Sequence, residues 1–84
     1  MEPLDGNAAA GMLSEVFAVE VTSARGRCAT CGNEAAVGEA VVYMHAPGVV
    51  ARCRTCGAVL FVLTRGRDRH WLGVRGLAWL ELGG

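Results

Sequence analysis

Two CxxCG turns, one helical apolar stripe near the N-terminus and several period-two segments together predict a small α+β domain stabilised by a metal ion. Its architecture is one N-terminal helix followed by short antiparallel strands. The chain has 84 residues, 52% of them apolar and 19% charged. That length suits one domain, residues 1–84, and a core this small needs a further staple. The apolar half also excludes intrinsic disorder.

The helix is expected over residues 8–17. Asp5-Gly6-Asn7 reads as a turn, with Asp5 or Asn7 as the N-cap. Ala9, Met12, Leu13, Val16 and Phe17 then form one apolar stripe, Ser14 and Glu15 face outward, and Gly11 weakens the helix. From Phe17 the period drops to two: Phe17, Val19 and Val21 alternate with Ala18, Glu20 and Thr22. This predicts a strand entering a metal-bound core of residues 19–65.

Ala40–His45 and Val49–Arg52 read as strands joined by the turn Ala46-Pro47-Gly48, and the second strand delivers Cys53. Ala58–Arg65 is apolar on both faces through Leu63, so cover is expected on both sides, the helix supplying one. His70–Arg75 and Leu77–Leu82 give C-terminal strands over residues 70–82, interrupted or bulged at Gly73 and Gly76.

The four cysteines form two pairs, Cys28-Ala29-Thr30-Cys31-Gly32 and Cys53-Arg54-Thr55-Cys56-Gly57, separated by 21 residues. A CxxC turn brings two thiolates to one metal, and two such turns complete a tetrahedron of sulfurs. The glycine after each second cysteine suits a left-handed backbone position. Disulfides are the weaker reading in a chain without an export signal, and a thioredoxin-type centre needs a βαβ setting absent from this pattern. The expected cofactor is therefore one Zn2+ held by Cys28, Cys31, Cys53 and Cys56, with iron the lesser alternative. Four thiolates leave no open coordination position, so the ion is structural and a condition for folding. Loaded with a divalent ion, the formally neutral chain carries about −2, and Arg27, Arg52 and Arg54 beside the turns are placed to offset that charge.

Residues 28–65, on this paired motif, resemble the zinc-ribbon, or rubredoxin-like, superfamily. Over nearly its full length the chain also resembles a domain family of unknown function from high-GC bacteria. The matching stretches are Leu4-Asp5-Gly6-Asn7-Ala8, Glu15-Val16-Phe17, both cysteine turns, Ala46-Pro47-Gly48, Cys56-Gly57-Ala58-Val59-Leu60 and Arg75-Gly76-Leu77. The resemblance implies a zinc-ribbon fold and transfers no activity. The absence of Lys and Ile, with Arg as the basic residue throughout, fits coding in a GC-rich genome.

Charge and hydropathy narrow the function. The longest apolar run, Ala58–Leu63, is far too short to span a membrane. No basic residue precedes Arg25, so no secretory signal is expected and the protein reads as cytoplasmic. Residues 1–40 carry a net −4 and residues 41–84 a net +4, a pattern that suits pairing between the halves.

The first functional expectation is a protein-interaction module or small homodimer. Trp71, Leu77 and Trp79 fall on one strand parity and Leu72, Val74, Leu80 and Leu82 on the other, so one face needs a cover. The alternative is nucleic-acid binding at Arg65-Gly66-Arg67-Asp68-Arg69-His70-Trp71, where Arg65, Arg67 and Arg69 would take phosphates and Trp71 a base. Those arginines equally suit a solvated hairpin tip that protects the aggregation-prone Val59–Leu63 segment. Rubredoxin-like electron transfer is remote, because Arg54 stands where rubredoxins usually carry proline. The same thiols also suit a redox switch. His45 and His70 have no catalytic partner in the pattern, so neither enzyme activity nor a small-molecule substrate is expected.

Overall fold

The structure is a computed structural model and describes residues 4–17, 21–45 and 48–82. Asp5 opens the first of two short helical regions among the described residues (the second is a 3-10 turn at Val37–Glu39), its side-chain Oδ1 accepting a bond from the Asn7 N–H at 3.1 Å. After β1 (Leu4–Asp5) come a 3-10 helix (Gly6–Ala9) and α1 (Ala10–Leu13), and irregular turns continue to Val16. The helix is therefore shorter than the stripe predicts. Gly11 contributes poor propensity in its middle, and the Ser14 hydroxyl donates to the Gly11 carbonyl at 2.8 Å, a local bond that competes with helical continuation. The stripe itself faces as expected. Ala9 and Leu13 are buried, and Met12, Val16 and Phe17 pack against the same core.

The predicted strand over Phe17–Thr22 is not formed at its ends. Phe17 donates its N–H to Leu13 in a helical turn, and the next strand, β2, starts only at Arg25. Residues 18–20 lie outside the described residues.

β2 (Arg25–Cys28), β3 (Glu34–Ala36) and β8 (Leu77–Glu81) form a three-stranded antiparallel sheet in the order β3-β2-β8. β4 (Val41–His45), β5 (Gly48–Arg52), β6 (Val59–Arg65) and β7 (His70–Gly73) join β1 in a five-stranded antiparallel sheet, ordered β1-β4-β5-β6-β7. The β4–β5 hairpin falls where Ala46-Pro47-Gly48 predicts it, with His45 opposite Gly48, although residues 46 and 47 themselves lie outside the described residues.

Between the sheets lies a core of small side chains. Val42, Val49, Ala51, Phe61 and Leu63 from the larger sheet meet Leu13, Val21, Val37 and Ala40, with Leu77 and Leu80 of β8 at its margin. Two expectations are corrected here. β6 is not covered on both faces along its length: Phe61 and Leu63 point into the core, while Val62 between them is exposed. The C-terminal strands do not share a sheet, so a parity count carried from Trp71 to Leu82 has no single face to describe.

The cause is Gly76. Its N–H bonds to the Leu60 carbonyl of the larger sheet at 3.1 Å, and its carbonyl accepts from the Ala29 N–H at the end of the smaller sheet, 2.9 Å away. The chain crosses between sheets at this point, and a Cβ there would stand 1.7 Å from the Val59 oxygen. Leu72, Val74 and Leu82 are exposed, as are Trp71 and Trp79, at 56% and 40%. No helix among the described residues is long and apolar enough to cross a membrane.

Candidate metal centre

Each cysteine pair sits in the turn of one hairpin, and the two hairpins belong to different sheets. β2 ends at Cys28 and returns as β3, while β5 ends just before Cys53 and the chain returns as β6. The turns are built alike. Cys28 N–H bonds to the Asn33 carbonyl at 2.9 Å, and Cys53 N–H to the Ala58 carbonyl at 2.8 Å. The Gly32 and Gly57 N–H groups each return to the carbonyl of the first cysteine in their turn at 2.9 Å. Both glycines stand at positive φ, +79° and +80°, the left-handed conformation that side chains disfavour and the CxxCG pattern anticipates.

The symmetry extends to burial: Cys28 and Cys53 are each 3% exposed, whereas Cys31 and Cys56 are open to solvent. All four Sγ atoms lie within 4.8 Å of one another. Cys28 and Cys56 approach to 3.7 Å, as do Cys31 and Cys53. Thiolates about 2.3 Å from a central ion define a tetrahedron with edges of about 3.8 Å. The donor set therefore fits a four-coordinate ion, and the four predicted ligands meet in one place.

Electrostatics points the same way. The Cys31 and Thr30 amides aim at Cys28, and together with the Cys56 and Cys31 sulfurs they outweigh burial and draw its thiol down to about 6. In the second turn burial opposes ionisation of Cys53, yet the Cys56 and Thr55 amides with the Cys31 and Cys56 sulfurs hold it below the usual thiol range. Cys31 goes the other way. The Asn33 amide favours its thiolate, but partial desolvation and the sulfurs of Cys53, Cys56 and Cys28 push it up to about 11. The fold stabilises negative charge on Cys28 and Cys53 and resists it on Cys31, where a divalent cation would neutralise it.

Arginines flank both turns. Arg27 lies against Gly32 and pairs with Glu34 at 3.3 Å, and Arg52 donates to the Gly57 carbonyl at 2.9 Å. Both therefore buttress their own turns, a more specific task than charge offset alone. A cleft beside Cys28, Cys53, Phe61 and Leu77 has about 30 Å3 of space for water.

The Arg65–Trp71 segment is elsewhere. It forms the β6–β7 connection, so the seven residues of β6 put about 20 Å between it and the cysteine turns. Its charges are not gathered on one free surface. Arg65 pairs with Glu15, whose other oxygen lies 3.2 Å from His70 Nε2, and Arg69 faces Asp68 at 3.4 Å. Arg67 is exposed, and the Trp71 ring lies against Gly66. Glu15, which ties the helical segment to this hairpin, has no local sequence signal, because its partners are 50 and 55 residues away. It also supplies one link between the acidic and basic halves of the chain.

The chain matches DUF6510, a family of unknown function, over residues 1–84, and belongs to it. No curated protein and no solved structure matches it.

Proposed function

We propose that this member of the DUF6510 family is a non-catalytic zinc-ribbon protein. Cys28, Cys31, Cys53 and Cys56 hold one structural Zn2+, and the domain serves as a cytoplasmic protein-interaction module or small homodimer. The carrying observation is the tetrahedral spacing of four sulfurs contributed by two matching turns. Four thiolates fill a zinc shell and leave no position for substrate, which favours a structural ion. Free thiols suit a reducing compartment. Exposed Trp71, Trp79, Leu72 and Val74 supply the apolar surface an interaction module needs.

Elemental analysis of the purified protein tests the metal reading. One zinc per chain is expected, and Cys28→Ser or Cys53→Ser should lower it at least tenfold and remove the ordered signal of β2, β3 and β8. A metal-free chain with unchanged sheet structure overturns it, and a red, iron-bearing preparation replaces zinc with iron.

Exposed Arg67 and Trp71 favour nucleic-acid binding as a second reading. Carboxylates beside Arg65 and Arg69 count against it, since they compete with phosphate. Fluorescence anisotropy with labelled single-stranded DNA, duplex DNA and RNA decides it: micromolar binding with a steep salt slope supports this reading, and no binding at low salt retires it.

A further inference from the structure

The cluster pairs its cysteines in a polarised way. Each exposed sulfur, Cys31 or Cys56, has a buried sulfur of the opposite turn 3.7 Å away, Cys53 or Cys28 respectively. Resting on the zinc reading above, we propose that the centre is also a peroxide-responsive crosslink: oxidation expels the ion and leaves two disulfides, Cys28–Cys56 and Cys31–Cys53, which keep the two sheets joined.

The electrons balance with two molecules of a hydroperoxide per chain. An exposed thiolate attacks one peroxide oxygen and the O–O bond breaks. The products are a sulfenic acid on Cys31 or Cys56 and a hydroxide or alkoxide that leaves with a proton from water. The buried thiolate opposite then attacks the sulfenic sulfur. An S–S bond forms, the S–O bond breaks, and hydroxide departs. Each peroxide takes up two electrons and each disulfide supplies two. With its four ligands consumed, the divalent ion is released.

Topology makes the pairing consequential. Cross-turn disulfides tie β2–β3 to β5–β6 and close loops spanning 28 and 22 residues. They therefore constrain the unfolded chain where the ion did. A disulfide within either CxxC would join cysteines only three positions apart and leave the sheets unlinked. The two alternatives predict opposite fates for the fold. Cross-linking preserves it without metal, whereas within-turn oxidation removes the staple.

The experiment treats zinc-loaded wild-type protein with hydrogen peroxide. It follows zinc release with a colorimetric chelator, sheet content by circular dichroism, and disulfides by mass spectrometry of unreduced tryptic peptides. Trypsin cuts after Arg27, Arg52 and Arg54, so Cys28 and Cys31 share one peptide while Cys53 and Cys56 separate. The expected result is one zinc released per chain, sheet content within a tenth of the starting value, and the 28–52 peptide joined to both others, with fragmentation assigning Cys28–Cys56 and Cys31–Cys53. Oxidation in urea serves as the control and should shift the products towards within-turn pairs. Within-turn disulfides from the folded protein, sulfinic acids without disulfides, or loss of sheet content on zinc release each overturn the proposal. Protein that binds no zinc before peroxide is added instead removes the reading beneath it.

Discussion

Gly76 and Gly11 are the same residue in the sequence and opposites in the structure, so changing each to alanine tests how this fold is joined. At Gly76 an added Cβ would meet the Val59 oxygen at 1.7 Å, with the Val59 carbonyl carbon and Leu60 Cα both at 2.7 Å. All three are backbone atoms of β6, which cannot rotate aside. The strand crossing would have to move by more than an ångström, loosening the Gly76–Leu60 and Ala29–Gly76 bonds, each worth about 1 kcal/mol. Overpacking adds about 1–3 kcal/mol, so Gly76→Ala should cost about 3–5 kcal/mol. Gly76 is not at positive φ, so the penalty is steric. At Gly11 nothing lies within 4 Å of the added methyl, and alanine should stabilise α1 by about 0.5–1 kcal/mol. Urea denaturation at one fixed free-zinc concentration, followed through the two tryptophans, measures both, because an ion that binds the folded chain otherwise shifts apparent stability. A Gly76→Ala variant within 1 kcal/mol of wild type would refute the crossing described above.

Metal retention should fall with acidification, as protons compete for the sulfurs. In the metal-free fold Cys28, drawn down from 9.0 to about 6, adds stability that is full above pH 9 and lost as pH falls through about 6; Cys31, pushed up to about 11, favours the fold below pH 9 and loses that contribution as pH rises through about 11. Zinc release read by a chelator dye between pH 8 and pH 4 must therefore increase towards acid, and a flat profile contradicts thiolate ligation. Arg65→Ala removes an exposed pair with Glu15 and should cost at most about 1 kcal/mol by denaturation, with zinc content unchanged. Replacing Arg65, Arg67 and Arg69 together should likewise spare zinc and fold, and if solubility alone collapses in that variant, the arginines guard the neighbouring apolar strand. Trp71→Ala with Trp79→Ala should weaken any self-association at least tenfold by sedimentation, and an unchanged constant would place the interface elsewhere.

The cysteine centre is legible in the sequence because its chemistry is local: two CxxCG turns fix their own sulfur pairs, and Gly32 and Gly57 announce the left-handed position each turn adopts. β4, β5 and β6 are legible for a similar reason, their apolar runs being bounded by turn residues. What the sequence conceals is tertiary. Glu34-Ala35-Ala36 has little strand propensity and becomes β3 only because β2 lies beside it in register. Gly76 looks like a bulge within one long strand, yet it is a crossing whose partners come from Val59 and Leu60. Glu15 looks like the outward face of a helix, and its partners Arg65 and His70 enter only when β6 and β7 fold back over it.

The two sheets should not lose their order together when the ion is removed. The five-stranded sheet owns most of the core, including the fully buried Val42, Val49 and Leu63. By contrast, the inward positions of the smaller sheet offer Gly26 and Ala35, and Leu77 and Leu80 only at the margin. Its outward face carries Arg25 and Arg27 against Glu34, Trp79 and Glu81, exposed contacts worth little to stability. Three short strands with so little apolar cover do not stand alone. Their attachment to the larger sheet is the Gly76 crossing, the core margin and the cysteine turns. Chelation removes the last of these and should release β2, β3 and β8 first. Amide hydrogen exchange before and after EDTA would show it: protection in Arg25–Cys28 and Leu77–Glu81 should drop at least a hundredfold, while Val49–Ala51 and Phe61–Leu63 lose less than tenfold. Equal loss in both sheets would mean that one cooperative unit spans the chain and that the ion supports all of it.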